Sequence, residues 1–144
     1  MVDPTRARSL LSHLSGRLRK LERYAERDLD DYLADEEAVN ASKYLLLTAI
    51  EDALGLANHV IASEGLRAPT DYADSFRSLA EGALIDGNLA ERLESMARFR
   101  NLLIHVYAEV DDRRVHRFLA SDVKDLERFA AAILAGFPEL GADV

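Results

Sequence analysis

Four polar side chains that suit phosphodiester chemistry lie in one short stretch of the chain. Arg100 and Asn101 are followed by two leucines and an isoleucine, then by His105 and, two residues later, by Tyr107. An apolar helix has no packing reason to carry these groups together, because burying unpaired polar groups is costly. RNA cleavage needs such a set, since a guanidinium neutralises phosphate charge and an imidazole transfers protons. The stretch is therefore the first candidate for a catalytic site.

The spacing of arginine and histidine alone is a weak signal, because short motifs recur by chance. Arg8 and His13 have the same spacing, yet they lack both the asparagine and the tyrosine. Requiring asparagine directly after the arginine and tyrosine two residues after the histidine leaves only the stretch from Arg100 to Tyr107. The functional inference therefore depends on the full pattern.

The stretch resembles the RxxxxHxY motif of HEPN-domain toxins of the HepT type, and the likeness extends along the chain. Residues 49–62 resemble the second helix of these proteins, residues 65–69 the turn that follows it, and residues 96–105 their fourth helix. The similarity is strongest from residue 44 to residue 119. Asp111 stands four residues after the tyrosine, where the family usually has an acid, whereas Val106 stands where many relatives have glycine.

The resemblance implies an all-α fold, an antiparallel HEPN-like bundle of four to five helices that forms a two-fold homodimer. It also implies an endoribonuclease, the toxin of a type VII HEPN/MNT toxin–antitoxin system, that cuts RNA without a metal ion or another cofactor. Arg100 would hold the phosphate, and His105 would transfer the proton. Asn101 would hydrogen-bond the phosphate or orient the histidine. Both tRNA and mRNA are candidate substrates.

Tyr107 has a regulatory role by the same resemblance. In HepT-type systems a nucleotidyltransferase antitoxin of the MntA type transfers AMP to this tyrosine. The added phosphate and base would keep RNA out by repulsion and bulk. Two alternatives stay open at this point. In the first, the chain is not a ribonuclease but a catalytically silent HEPN binding module that serves as partner and AMP acceptor. In the second, it is a helical protein unrelated to this family.

The spacing on an ideal helix has a consequence for the catalytic site. At 100° per residue, Arg100 and His105 lie about 140° apart around the axis and about 7.5 Å apart along it. One rigid helix therefore does not direct both at a single phosphate. Either the helix loosens near His105, or a two-fold dimer combines groups from two copies. The same geometry predicts Tyr107 on the Arg100 side, within about 20° of it.

Three further residues are candidates for a supporting role. Glu51 stands where relatives often carry an acid and would orient Arg100 or His105, unless it is a surface carboxylate. Arg98 shares the face of His105 and either contacts phosphate or forms an ion pair with Glu94. Asp111 is the acid of the family pattern. The other three histidines show no metal-ligand spacing with one another.

The pattern of apolar residues predicts the helices that must position these groups. Asp3 and Pro4 form a start signal for a first helix from about residue 4 to residue 33. A second helix ends at Gly65, a third is closed by Asp86 and Gly87, and a fourth begins with a capping box at Asn88 and carries the motif. A fifth segment begins at Asp111 and Asp112 and runs to Gly136.

Composition limits the remaining possibilities. The chain has 144 residues, which predicts a single domain over 1–144. It has no cysteine, which excludes disulfides and zinc-thiolate sites and favours the cytoplasm. Neither a secretory leader nor an apolar run long enough for a membrane span is evident. The net charge of −8 argues against a nonspecific nucleic-acid binder. Residues 1–27 are basic, which indicates either a solvated helix end or a surface near RNA or a partner.

Overall fold

The computed structural model describes residues 2–141, and this part of the chain is helical and contains no strand. Its α-helices are α1 (Pro4–Ala25), α2 (Leu29–Ala34), α3 (Glu36–Glu64), α4 (Tyr72–Glu81), α5 (Gly87–His105), α6 (Asp112–Ser121) and α7 (Val123–Gly136). Short 3-10 turns cover Tyr107–Glu109 and Pro138–Gly141. The predicted all-α bundle is confirmed. Each of the five predicted helices is present, and two of them are broken into two parts.

Helix α3 is the centre of the bundle, because α1, α4, α5 and α7 all pack against it. Its buried apolar residues follow the predicted stripe and include Leu46, Ile50, Leu54, Ala57 and Ile61. By length and hydropathy alone, α3 would also suffice to cross a membrane. Half of its most apolar window is buried inside the bundle, and core helices of soluble proteins pass the same test. We therefore assign α3 to the core of a soluble helical protein.

Aspartates cap most helices, because their carboxylates accept the free backbone N–H groups of the first turn. Asp3 caps α1 and Asp111 caps α6, as predicted. The left-handed Gly65, at φ 65°, ends α3, also as predicted. The predicted capping box at Asn88 is wrong. Asp86 caps α5 instead, since its Oδ1 accepts the N–H of Leu89 at 2.7 Å.

The predicted first helix over residues 4–33 is wrong in its second part, because the chain leaves the helix after Ala25 and begins α2 at Leu29. The break allows Tyr32 to turn back into the core, where it is fully buried. Its hydroxyl is 2.7 Å from the hydroxyl of Ser42 on α3, so the buried phenol has a hydrogen-bond partner. A continuous helix would carry Tyr32 further along the α1 axis and lose this contact.

Two other boundaries differ from the sequence pattern. The third helix ends at Glu81 and not at Asp86, because the chain turns at Gly82 against Leu66, where a Cβ would lie 2.9 Å from that side chain. The fifth segment breaks at Asp122 into α6 and α7. Ser121 donates there to the carboxylate of Asp122, and such local bonds compete with the helix. The apolar spacing continues across the break and therefore could not reveal it.

Candidate functional site

Helix α5 carries the motif, and His105 is its last residue. The next residue, Val106, has φ −133° and ψ 38°, which lies outside the helical region. Tyr107 then begins a 3-10 turn. Because α5 remains helical through His105, the offset between Arg100 and His105 persists, and the composite site stays the remaining prediction. Angles around an ideal helix therefore describe Arg100, Asn101 and His105 but no longer Tyr107.

The Arg100 guanidinium is held from three sides. Its Nε and Nη2 donate to Glu51 Oε1 on α3 at 2.7 and 2.5 Å, and its Nη1 donates to Asn101 Oδ1 at 3.0 Å. The guanidinium also lies over the ring of Tyr72, 4.6 Å from the centroid. Its side chain is only 13% exposed. The structure thus brings Arg100, Asn101 and Glu51 together, and Glu51 contacts the arginine and not His105.

His105 differs from the bonded histidines of the chain. The ring nitrogen Nε2 of His59 accepts the N–H of Asp3 at 3.0 Å, and that of His116 is 2.8 Å from the carbonyl oxygen of Arg27. The imidazole of His105 is exposed and has no hydrogen-bond partner among residues 2–141. Leu102 and Ile104 beside it are 41% and 42% exposed, which is unusual for large apolar side chains. The surface around the imidazole is therefore apolar and unpartnered.

The Tyr107 side chain lies on α3, away from Arg100. Its hydroxyl donates to the carbonyl oxygen of Asn40 at 3.2 Å. Arg100 contacts Glu51, eleven residues further along α3, which corresponds to about 16 Å at 1.5 Å per residue. The expectation that Tyr107 lies on the Arg100 side of the same helix is therefore wrong. The reason is the end of α5 at His105, which redirects the chain before the tyrosine.

A buried lysine fixes the turn that carries Tyr107. Lys43 on α3 is 4% exposed, and its Nζ donates to the carbonyl oxygen of Tyr107 at 3.3 Å. The same ammonium lies 4.9 Å from the centroid of the Tyr107 ring and forms an ion pair with Asp112 at 2.7 Å. Beside them lies a cavity of about 550 Å³ that is also lined by Glu36 and Asn40. Sequence reasoning missed Lys43, because a single lysine in an apolar stripe carries no motif.

Two of the supporting candidates have structural partners. Arg98 Nη2 lies 3.9 Å from Glu94 Oε2, which matches the ion-pair alternative, and Arg98 also lines a cavity of about 330 Å³ next to Asn101. Asp111 accepts the N–H of Arg113 at 3.0 Å as the cap of α6. The structure does not bring Asp111 to Arg100 or Asn101.

Charges near the Asn101 cavity are strongly paired. Asp74, which lines this cavity, accepts two hydrogen bonds from Arg67 at 2.7 and 2.9 Å. These bonds, together with the N–H of Thr70, hold the pKa of the Asp74 carboxyl well below its usual range. On α3, burial raises the pKa of Asp52 although Arg17 pairs with it. Among residues 2–141, no group of three or more His, Asp or Glu side chains is placed to hold a metal ion.

The helical bundle and the polar motif at the end of α5 define the class of this protein, a HEPN-like helical domain. A comparison of the sequence with protein families makes the assignment specific. The chain belongs to the ribonuclease HepT-like family, whose model matches residues 14–133.

Individual relatives agree with this assignment. Over 85 residues the chain is 32% identical to an mRNA nuclease HepT from Shewanella oneidensis. The matched segment covers 59% of this chain and 64% of that relative. It is 23% identical over 116 residues to a tRNA nuclease HepT from Aphanizomenon flos-aquae, with 79% of this chain and 78% of that one covered.

The fold is also shared with a solved structure of a toxin. The tri-AMPylated HEPN toxin of Shewanella oneidensis, in complex with its MNT antitoxin, matches with a TM-score of 0.83. The match covers 94% of this chain and 99% of that one at 24% identity. At this identity the comparison establishes a common fold.

Proposed function

We propose that this chain is the toxin ribonuclease of a HEPN/MNT toxin–antitoxin system and that it cuts RNA without a metal ion. One observation carries the proposal. His105 ends α5 with an exposed imidazole that has no partner among residues 2–141, five residues after a firmly held arginine. Because no contact within the fold engages this imidazole, it is free to contact a substrate and transfer a proton. The mRNA and tRNA nucleases among the relatives support RNA as the substrate class.

The chemistry follows from the side chains present. His105 takes the proton of a ribose 2′-hydroxyl or delivers one to the leaving oxygen. The 2′-oxygen bonds to phosphorus while the bond to the 5′-oxygen breaks, so the products are a 2′,3′-cyclic phosphate and a 5′-hydroxyl. Arg100 stabilises the developing charge on the phosphate, and Asn101 hydrogen-bonds it. Glu51 is the positioning residue, because it orients the guanidinium.

We further propose that the working site is composite and forms in a two-fold homodimer. Within one chain, the guanidinium of Arg100 faces Glu51 on α3, whereas the imidazole of His105 is exposed to solvent. The exposed side chains of Leu102 and Ile104 flank the imidazole and supply apolar area for a second copy. A two-fold axis at this surface brings two copies of the motif together.

Tyr107 is the proposed site of regulation. Its hydroxyl attacks the α-phosphorus of ATP held by an MntA-type nucleotidyltransferase, a phosphodiester to AMP forms, and pyrophosphate leaves. The hydroxyl is a hydrogen-bond donor to Asn40, so its oxygen lone pairs are available for the attack. Lys43 holds the main chain of the tyrosine. The AMPylated state of the Shewanella oneidensis toxin supports this role.

The proposed compartment is the cytoplasm, where the RNA substrate and ATP are found. The absence of cysteine from the chain agrees with a reducing compartment.

Expression in a bacterial host tests the proposal. The parent chain alone should stop growth and degrade RNA, and co-expression with an MntA-type nucleotidyltransferase should restore growth. The control is His105→Ala, which should be harmless in both settings and remain folded, because the imidazole makes no contact that the fold needs. A parent chain that leaves growth and RNA intact, or a His105→Ala variant that is as toxic as the parent, would overturn the proposal.

A further inference from the structure

A groove lies between α5 and α6, directly beside the motif. It has a volume of about 280 Å³. Its lining comprises two arginines, two phenylalanines, two serines and an aspartate: Ser95, Phe99, Arg114, Arg117, Phe118, Ser121, Asp122. No residue of this groove belongs to the proposed catalytic set. We call it the α5–α6 groove.

The arginines of α6 stand out in an acidic chain. Arg113, Arg114 and Arg117 are exposed, and none of them forms an ion pair within residues 2–141. Elsewhere in that range most arginines bind carboxylates, as Arg67 and Arg92 do. Three exposed guanidinia on one short helix of a protein of net charge −8 create a local positive surface that can attract an anion.

The aromatic residues make the groove more than a charged surface. The rings of Phe99 and Phe118 stack with centroids 4.6 Å apart and an interplanar angle of 17°. The guanidinium of Arg114 lies over Phe99, 4.9 Å from the centroid, and is therefore held in place without a carboxylate. The aspartate in the groove, Asp122, already accepts a hydrogen bond from Ser121 at 2.9 Å. Arg114 and Arg117 form no ion pair with it, so their guanidinia are available to an external anion.

The groove and the imidazole lie on neighbouring faces of α5. Phe99 of the groove precedes His105 by six residues, which places it about 9 Å from the histidine along the axis and about 120° around it. This separation is within reach of the nucleotides next to a scissile phosphate at His105.

We propose that the α5–α6 groove binds the phosphates of RNA next to the cleavage point, with Arg114 and Arg117 as their ligands. This inference rests on the proposed ribonuclease function and adds a substrate-binding surface to it. Guanidinia pair with phosphate oxygens through two parallel hydrogen bonds, and the serine hydroxyls at the rim suit ribose oxygens. A surface for the antitoxin protein is the competing use of the same arginines.

RNA binding by variants decides between the two uses. The double variant Arg114→Gln/Arg117→Gln is made in the His105→Ala background, so that the probe, a labelled single-stranded RNA of about 20 nucleotides, stays intact. The matched control is Arg19→Gln/Arg23→Gln, which removes two exposed and unpaired arginines from α1. Fluorescence anisotropy is measured between 50 and 200 mM salt, and circular dichroism checks that both variants remain folded.

The groove variant should bind RNA at least about tenfold more weakly than its parent, and its salt slope should fall by about 1.4, or 0.7 for each lost contact to a single strand. The control should change affinity less than about twofold, as expected if residues 1–27 form a solvated helix end that does not contact the strand. Equal losses in both variants would reduce the effect to overall charge and overturn the proposal. So would unchanged RNA affinity, including the case in which binding to the nucleotidyltransferase is lost instead.

Cleavage with His105 intact separates this proposal from the proposed function. If the parent chain does not cut RNA but the groove variant still binds it more weakly than the control, the ribonuclease function fails and the groove stands. If the parent cuts and the groove variant cuts equally well at low substrate concentration, the groove fails and the function stands.

Discussion

Replacing Lys43 tests how the AMP-acceptor tyrosine is positioned. The Lys43 ammonium joins α3 to the 3-10 turn through the Tyr107 carbonyl and to α6 through Asp112. Lys43→Met keeps a stem of similar length and removes the charge. We therefore expect the turn to lose its anchor while the motif on α5 stays unchanged.

The cost to stability can be bounded from exposure. Removing one partner of a fully buried ion pair costs about 3–5 kcal/mol, because the other charge stays buried. Here the lysine side chain is 5% exposed but that of Asp112 is 41% exposed, so the aspartate regains water. We expect a loss of about 1–2 kcal/mol in the free energy of unfolding, or roughly 3–8 °C in melting temperature for a domain of this size.

The effect on AMP transfer should exceed the effect on stability. A misplacement of about 1 Å can reduce a reaction rate about 100-fold, so the rate of AMP transfer to Lys43→Met should fall at least tenfold. Intact-mass measurement after incubation with the nucleotidyltransferase and ATP follows the transfer. RNA cleavage in the absence of the antitoxin should stay within about threefold of the parent, since Lys43 has no hydrogen bond or ion pair with Arg100, Asn101 or His105.

Two controls give this prediction a clear negative result. Lys20→Met removes an exposed lysine of α1 and should change neither stability nor AMP transfer. A double-mutant cycle with Asp112→Asn should give a coupling energy of about 1 kcal/mol, as for residues in direct contact. AMP transfer to Lys43→Met at the parental rate would refute the positioning role, and a coupling energy near zero would refute the ion pair.

Three further predictions follow from other parts of the structure. Tyr107→Phe should stay folded and toxic but escape the nucleotidyltransferase, whereas the parent gains about 329 Da per AMP unit; AMP on another residue would refute the assignment. Asp74→Asn should be less stable than the parent at neutral pH. Arg67 lowers the pKa of Asp74 in the folded state, so the ion pair stabilises the fold above the unfolded pKa, and this stabilisation is lost as pH falls below about 5. The urea midpoints of the parent and of Asp74→Asn should therefore converge in acid. A difference between them that stays constant with pH contradicts the pairing. Sedimentation at micromolar concentration should show a dimer, and an active monomer would exclude the composite site.

The periodic apolar stripes were sufficient to predict the bundle, because burial alone decides which face of α3 or α5 points inward. The interruptions were not predictable. Tyr32 is buried in the core after the break, where Ser42, ten residues further along the chain, is its hydrogen-bond partner. The stripe continues through Asp122, although the helix does not.

The candidate site shows the same division between local pattern and tertiary contact. The motif could be found in the sequence because Arg100, Asn101 and His105 are close along the chain. The environment of Tyr107 could not, since it depends on the end of α5 at His105 and on Lys43, 64 residues before the tyrosine. A pair so distant in sequence leaves no trace in spacing or composition.

Analysis of the RNA ends tests the central claim most directly. Purified protein is incubated with RNA in EDTA, and the products of the parent chain, Arg100→Ala and His105→Ala are compared. The parent should cut and leave 2′,3′-cyclic phosphate and 5′-hydroxyl ends. Each variant should lose at least about 100-fold in rate, as expected for removal of a proton-transfer group or a phosphate ligand. Cleavage by His105→Ala at the parental rate, or a parent reaction that EDTA abolishes, would contradict the account.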